Sequence, residues 1–332
     1  MEMTAGSIQI YRYRLIPRGQ DTVSEPARRG GRAEFSGVLL RDAERGGIGC
    51  IHPWPELGDA SLEQELDALR RGRPLGLGKR ALQCMAIDGT ARERGVSLFS
   101  GLQIPASHYL WQGERDAICQ AHEIAAGGFP AVKLKLGSER HLALASVARV
   151  ADAVDVPLRL DFNAVLTASE AVAFFRGMSA DLRARIELVE DPCPYDPGDW
   201  GRLRCAFEGD LALDRGLRLD GCGLPEGATL GVFKPARDDG DMLGAGRMPL
   251  LVTSYMDHPI GQMWAAWWAA RIAAGDFAHI DFRGCGLLTH GHFAGDAALG
   301  LVEQEGARLL PPSGMGLGFD DYLEGLAWKN LE

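Results

Sequence analysis

Ionisable residues recur along this chain at the ends of short β-rich segments. Lys135 is followed by Asp161 (26 residues on), Glu190 (29 on), Asp214 (24 on) and Lys234 (20 on). The segments leading to them are Ala131–Leu136, Pro157–Asp161, Ile186–Glu190, Leu211–Asp214 and Leu230–Lys234. Ser107–Trp111 precedes this set, and Leu250–Ser254 and Ala278–Phe282 follow it. Amphipathic stretches such as Arg115–Ala126, Arg140–Ala153, Ser169–Met178 and Met263–Ala274 lie between them. Eight strands alternating with helices predict an α/β fold, a (β/α)8-type (TIM-like) barrel. In such a barrel the C-terminal ends of the strands share one mouth, so the five ionisable side chains are expected to converge there. A single Asp at a strand end is ordinarily a turn or a helix cap. Five charged ends in register fit that explanation far less well.

A doubly wound sheet is the competing architecture, and it ordinarily carries a nucleotide loop. Gly221-Cys-Gly223-Leu-Pro-Glu-Gly227 has one residue too many for G-x-G-x-x-G, and Gly78-Lys79 is followed by Arg80 rather than Ser or Thr. The first hundred residues read differently, as α+β. Ser7–Pro17 alternates as a strand, Glu34–Arg41 and Gly47–His52 form a hairpin, and helices begin near Ser61 and Leu77. Ser61-Leu-Glu-Gln64 fits a capping box. Arg18–Arg32 and Pro53–Asp59 read as loops. The expected division is an α+β domain over the first hundred residues and a barrel after it.

Val132-Lys133-Leu134-Lys135-Leu136 places two lysines on one strand face and two leucines on the other. Both faces of a parallel barrel strand are covered. The leucines suit the outer helices, so the lysines point inward, where an unpaired ammonium is costly. A lysine beside a second cation titrates low and can serve as a base near neutral pH. Asp161, Glu190 and Asp214 add three carboxylates on neighbouring strands. Hard oxygen ligands suit Mg²⁺, and the lack of His or Cys at these positions disfavours zinc. A lysine base with Mg²⁺ is equipped to take a proton from a carbon next to a carboxylate and to stabilise the resulting enediolate. Asn163 shares the face of Asp161.

These segments resemble the enolase superfamily over essentially the whole chain. Lys133-Leu-Lys135 is similar to its K-x-K motif on the second barrel strand. Leu160-Asp161-Phe-Asn163, Val189-Glu190-Asp191-Pro192-Cys193 and Ala212-Leu-Asp214 are similar to its metal-ligand segments. Val232-Phe-Lys234-Pro235 is similar to its sixth-strand K-P segment. The combination points to the muconate lactonising enzyme subgroup. Cys285-Gly286-Leu287-Leu288-Thr289 adds a likeness to the o-succinylbenzoate synthase family of menaquinone biosynthesis. The resemblance implies a Mg²⁺-dependent lyase acting on a small carboxylate substrate. Asp161, Glu190 and Asp214 would be the metal ligands, with Lys135 as the base and then the acid for the leaving hydroxyl. Lys133 belongs to the same catalytic set, and Lys234 would stabilise the enediolate by a cation–π contact. The resemblance also implies a (β/α)7β-type (TIM-like) barrel over 101–305 under an α+β capping domain over 1–100, to which 306–332 would return, with Arg18–Arg32 and Pro53–Asp59 as loops over the substrate.

Arg215-Gly216 stands where the family often has an acidic residue, and Thr253–His258 lacks its frequent seventh-strand Glu. Asp281-Phe282-Arg283 replaces the eighth-strand D-x-D of dipeptide epimerases. An N-succinylamino acid racemase, using Lys135 and Lys234 as opposed bases, is the alternative activity. A catalytically silent ligand-binding barrel is a third reading, against which the full set of charged residues argues.

Composition adds exclusions. Lys+Arg is 35 and Asp+Glu is 45, a formal net charge of −10, and no basic stripe marks a nucleic-acid binder. The longest apolar run, Met263–Ala270, ends at Arg271 and is too short to cross a bilayer. Met1–Thr4 carries neither a basic segment nor an apolar run. The seven cysteines are widely spaced without C-x-x-C, as in a reduced cytoplasmic protein. His290-Gly-His292 has no further ligands nearby and reads as a loop, while Trp264, Trp267 and Trp268 read as a helix face packed on the barrel. Arg28, Arg29 and Arg32 could meet an anionic substrate or simply be solvated.

Overall fold

The computed structural model describes residues 8–19, 31–113, 115–217, 223–243 and 248–332. The chain starts with an antiparallel sheet of β1 (Ile8–Pro17), β2 (Phe35–Asp42) and β3 (Ile48–Ile51). The expected hairpin turns at Gly46 (φ +70°), where the Asp42 carboxylate accepts the Glu44 N–H at 2.9 Å. Helices α1 (Leu62–Arg70) and α2 (Gly76–Glu93) follow. The capping box forms: Ser61 Oγ accepts the Gln64 N–H at 3.3 Å, and the Gln64 side chain accepts the Ser61 N–H at 2.8 Å. Leu62, Leu66 and Leu69 lie at i, i+4 and i+7 and are the face that α1 buries.

The second sheet has eight parallel strands in sequence order: β4 (Tyr109–Leu110), β5 (Val132–Lys135), β6 (Leu158–Asp161), β7 (Ile186–Glu190), β8 (Asp210–Leu213), β9 (Leu230–Phe233), β10 (Met248–Thr253) and β11 (Ile280–Gly286). Its two outer strands meet where Ser107 bridges Cys285 and the His108 N–H donates to the Cys285 carbonyl at 2.9 Å. The eighth strand continues past Phe282 to Gly286, further than the sequence pattern indicated. Helices α3 (Ala117–Gly127), α4 (Arg140–Ala153), α5 (Ala168–Gly177), α6 (Ala180–Ala184), α7 (Pro197–Ala206) and α8 (Pro259–Ala273) connect the strands. Among the described residues, no α-helix follows β8, where Gly216, Gly223, Pro225 and Gly227 break the pattern, and only a 3₁₀ turn at Gly240–Met242 follows β9.

Helix α8 is buried from Pro259 through Ala270 on every side. Trp264, Trp267 and Trp268 pack against one another with ring centroids 4.9–5.8 Å apart, but they are part of an all-round apolar surface rather than of one face. The helix touches β10 and β11 of the barrel and β3 of the first sheet, so both sides are covered. The first sheet also takes Phe293–Ala294 and Lys329–Asn330 as antiparallel neighbours of β1, which ties the end of the chain back to its start. No helix among the described residues is long and apolar enough to cross a membrane.

Candidate active site

Register brings the charged strand ends together. Lys135 pairs with Asp161, Asp161 with Glu190, and Glu190 with Ala212, two residues before Asp214. Lys133, Lys135, Asp161, Asp214 and Lys234 line one cavity at the barrel mouth. Glu190 is buried beside it, with Lys133 Nζ 2.7 Å from Glu190 Oε2 and 2.9 Å from Asp161 Oδ2.

The two lysines of β5 are driven apart by what surrounds them. Burial pulls Lys133 down, but Asp161 and Glu190 outweigh it, so Lys133 is held above the ordinary lysine value and stays an ammonium. Burial also pulls Lys135 down; Asp161 resists, Lys133 and Lys234 add to the fall, and it settles at about 8. One lysine is thus a fixed charge, and the other gives up its proton much closer to neutral pH.

Asp214 is fastened from two directions. Lys234 Nζ bonds Oδ2, and Arg237 Nη1 donates to Oδ1 at 2.9 Å. Burial works against its charge, but these two cations outweigh burial and hold the carboxyl well below its ordinary range. Arg237 is oriented by both oxygens of Asp238, and one of them, Oδ2, also accepts the Lys234 backbone N–H at 2.8 Å. Glu190 is pushed up by burial and then by Asp161, with Lys133 opposing. Asp191, left-handed at φ +41°, points its carboxylate at the chain leaving β8 and accepts the N–H groups of Asp214 at 3.0 Å and Arg215 at 2.8 Å. It is therefore a brace for Asp214, a role the sequence did not show. Asn163, also left-handed, donates backbone and side-chain N–H groups to Asp161 Oδ1, both at 2.9 Å.

The donor set of Asp161, Glu190 and Asp214 fits a hard divalent cation by chemistry and by strand adjacency. Their oxygens are held by Lys133, Lys234 and Arg237, and no preformed cluster of metal-ligating side chains stands among the described residues. His290 and His292 sit in a 3₁₀ turn, with their Nδ1 atoms engaged by Gln262 and Gln112, each at 3.1 Å.

The roof comes from the first domain. Trp54 and Leu57, in the second expected loop, line the cavity. Trp54 Nε1 donates to the Tyr255 carbonyl at 2.9 Å, and Asp59 Oδ2 accepts the Tyr255 hydroxyl at 2.8 Å and the Trp54 N–H at 2.7 Å. Arg32 links the two loops through Glu56 at 3.1 Å. Arg28 and Arg29 lie outside the described residues. Tyr255 also faces Lys234 Nζ, 5.9 Å from its ring centre. Asp281 and Arg283 pair with each other at 2.9 Å on the exposed start of β11, away from the mouth. The eighth-strand positions that reach the cavity are Gly286, Leu288 and Thr289, and they too carry no carboxylate.

Comparisons with known proteins agree with this layout. Residues 8–91 match the family model described as O-succinylbenzoate synthase, N-terminal domain, and residues 116–217 match Enolase C-terminal domain-like. The chain is 32% identical over 306 residues to an o-succinylbenzoate synthase of Bdellovibrio bacteriovorus, covering 89% of this chain and 91% of that one. Among solved structures, a mandelate racemase/muconate lactonizing protein from Herpetosiphon aurantiacus has TM-score 0.72 at 18% identity, covering 96% of this chain and 98% of that one. The L-Ala-D/L-Glu epimerase of Bacillus subtilis has TM-score 0.68 at 18% identity, covering 95% and 98%. At such identities these two share the fold with this chain. The identity to the Bdellovibrio protein along nearly the full length of both chains goes further: this chain belongs to the o-succinylbenzoate synthase family of the enolase superfamily.

Proposed function

We propose that this enzyme is a lyase that dehydrates 2-succinyl-6-hydroxy-2,4-cyclohexadiene-1-carboxylate to 2-succinylbenzoate, a step of menaquinone biosynthesis. The observation that carries the reading is the pair of lysines on β5, one kept charged and one lowered to about 8, at the base of a capped cavity. Family membership supports the substrate. Asp161, Glu190 and Asp214 are the residues that would hold Mg²⁺. When bound, the ion supplies positive charge for the negative charge that develops on the substrate carboxylate.

The chain's own residues do the rest. Uncharged Lys135 takes the proton from the carbon bearing the carboxylate, and the electron pair of that C–H bond moves into the carboxylate as an enediolate. The C–O bond to the neighbouring hydroxyl then breaks. Lys135 returns its proton to the departing oxygen, so water leaves from the face on which the proton was taken and the ring becomes aromatic. Lys133 and Lys234, each ion-paired to a carboxylate, place fixed positive charge beside the site. The pairing of Lys234 with Asp214 suits an electrostatic role better than that of a second base, which favours the lyase over an N-succinylamino acid racemase. Free thiols at all six described cysteines support work in a reducing compartment such as the cytoplasm. The cap would comprise 1–100 with 306–332, and the barrel 101–305.

The test is a paired assay of purified protein with Mg²⁺. Dehydration of the cyclohexadiene carboxylate, lost on chelation and restored by Mg²⁺, is the expected result. Fast racemisation of N-succinylamino acids without dehydration would replace the lyase reading by the racemase one.

A further inference from the structure

The floor of the cavity carries two buried polar groups that the chemistry above leaves unused. Thr253 Oγ1, at the end of β10, has no hydrogen-bond partner among the described residues. His108, just before β4, is likewise buried, at 7% exposure. Its ring fills the space above Gly286: a β-carbon there would stand 2.2 Å from His108 Cε1 and 2.4 Å from Nε2, so only glycine leaves room for the imidazole. Gly286 pairs with Thr253 in the β10–β11 register, which puts the ring and the hydroxyl at one level. Both side chains line the cavity.

The protonation pattern of His108 follows from its neighbour. Arg159 Nη1 lies 3.2 Å from His108 Nδ1. A guanidinium has donors only, so Nδ1 must accept, and a neutral imidazole accepting at Nδ1 carries its proton on Nε2. Arg159 is itself fixed by Glu187, with Nε 2.8 Å from Oε2 and Nη2 3.2 Å from Oε1, and Nη2 reaches the Arg283 carbonyl at 3.2 Å. The Arg159 contact is to Nδ1, which leaves Nε2 as the donor of the ring.

We propose that His108 Nε2–H and Thr253 Oγ1–H form a two-donor subsite for the ketone oxygen of the substrate's succinyl arm, and that Arg159 is the positioning residue that fixes the donor tautomer. The assignment rests on the function proposed above. Two neutral donors match the two lone pairs of an uncharged ketone oxygen, whereas a carboxylate is better served by cations. Lys133 is already committed to Asp161 and Glu190, and Arg159 to Glu187. A ligand that lacks the ketone leaves both donors buried and unpaired, which is how a polar subsite rejects the wrong molecule.

The test uses calorimetric binding of 2-succinylbenzoate and of its analogue with a methylene in place of the ketone, in the presence of Mg²⁺. Wild type is expected to prefer the ketone by about tenfold or more. The preference should shrink to about twofold or less in His108→Phe and in Thr253→Val, as a buried hydrogen bond is lost. Nitrogen-15 NMR of the unliganded protein should show His108 protonated at Nε2 and bare at Nδ1, and Arg159→Met should release that pattern. A purely structural Arg159 would leave the tautomer unmoved. Equal wild-type binding of the two ligands in an enzyme that still dehydrates its substrate overturns the subsite alone, as does an Nδ1-protonated His108. Failure of the wild type to bind either ligand overturns the functional reading, and the subsite with it.

Discussion

Lys133 and Lys135 carry the same side chain two residues apart, and the difference between them is made entirely by neighbours. Lys133 has two carboxylates in contact that outweigh its burial, while Lys135 is pulled down first by burial and then, against Asp161, by Lys133 and Lys234. Lys135→Ala should therefore leave folding and Mg²⁺ affinity intact while lowering kcat by about a thousandfold or more, the loss of a positioned base; calorimetry and single-turnover kinetics check the two halves. Near-normal turnover by that variant would remove Lys135 from the mechanism. Activity should rise as the pH climbs through about 8, because the base works only after losing its proton. A Lys135→Arg variant should lose that activity throughout the range, since guanidinium stays protonated. Asp161→Asn, Glu190→Gln and Asp214→Asn should each weaken Mg²⁺ binding, measured by titration calorimetry, because each takes a negative oxygen donor from a hard cation. Asp214 has the further duty of pairing Lys234 and Arg237, so its variant should also lose stability.

Elements set how these side chains are held. The loop after β3 is pinned by Trp54 and Asp59 to Tyr255 at the end of β10, across the two sheets. Trp54→Ala removes an apolar wall and the indole donor together, and KM should rise about tenfold or more while the chemical step changes less. A large fall in single-turnover rate with unchanged KM would place Trp54 in the chemistry instead. Helix α8 shows why a run of apolar residues ending at Arg271 is neither a membrane span nor one amphipathic face. Covered by barrel on one side and by β3 on the other, it can be apolar all round.

At the scale of the whole molecule, the joint between the two sheets holds an unusual carboxylate. Asp257 is 1% exposed, and neither of its oxygens makes a well-formed hydrogen bond among the described residues. It presses on helix α8 so closely that a β-carbon at Gly261 would lie 2.0 Å from Oδ2. Burial pushes its titration up to about 7, and nearby backbone N–H groups offset this only in part. The folded chain therefore keeps a proton that the unfolded chain has already lost. Its contribution to stability is complete below the ordinary Asp value, near 4, and is lost as the pH rises toward 7. Asp257→Asn should leave stability little changed at about pH 4 and raise it by on the order of a few kcal/mol at about pH 8. Thermal unfolding at both values checks this, and equal Tm gains at the two would sink it.

Much of the site was legible in the sequence because parallel strands impose a constant geometry. A strand end marked by Lys135, Asp161, Glu190, Asp214 or Lys234 faces the mouth whatever the rest of the chain does, and K-x-K places Lys133 beside Lys135 through the two-residue period alone. The hairpin and the Ser61 cap were legible for the same reason, being local. Asp191, Arg237, His108 and Trp54 were not, because each acts across contacts between segments far apart in the chain: Asp191 on Asp214, His108 on Arg159, Trp54 on Tyr255. Arg237 is close in sequence to Lys234, yet its target is Asp214 on another strand. Residue type and period determined which groups reach the mouth. Burial and ion pairing, which exist only once distant segments pack, decided which lysine stays charged and which gives up its proton more readily.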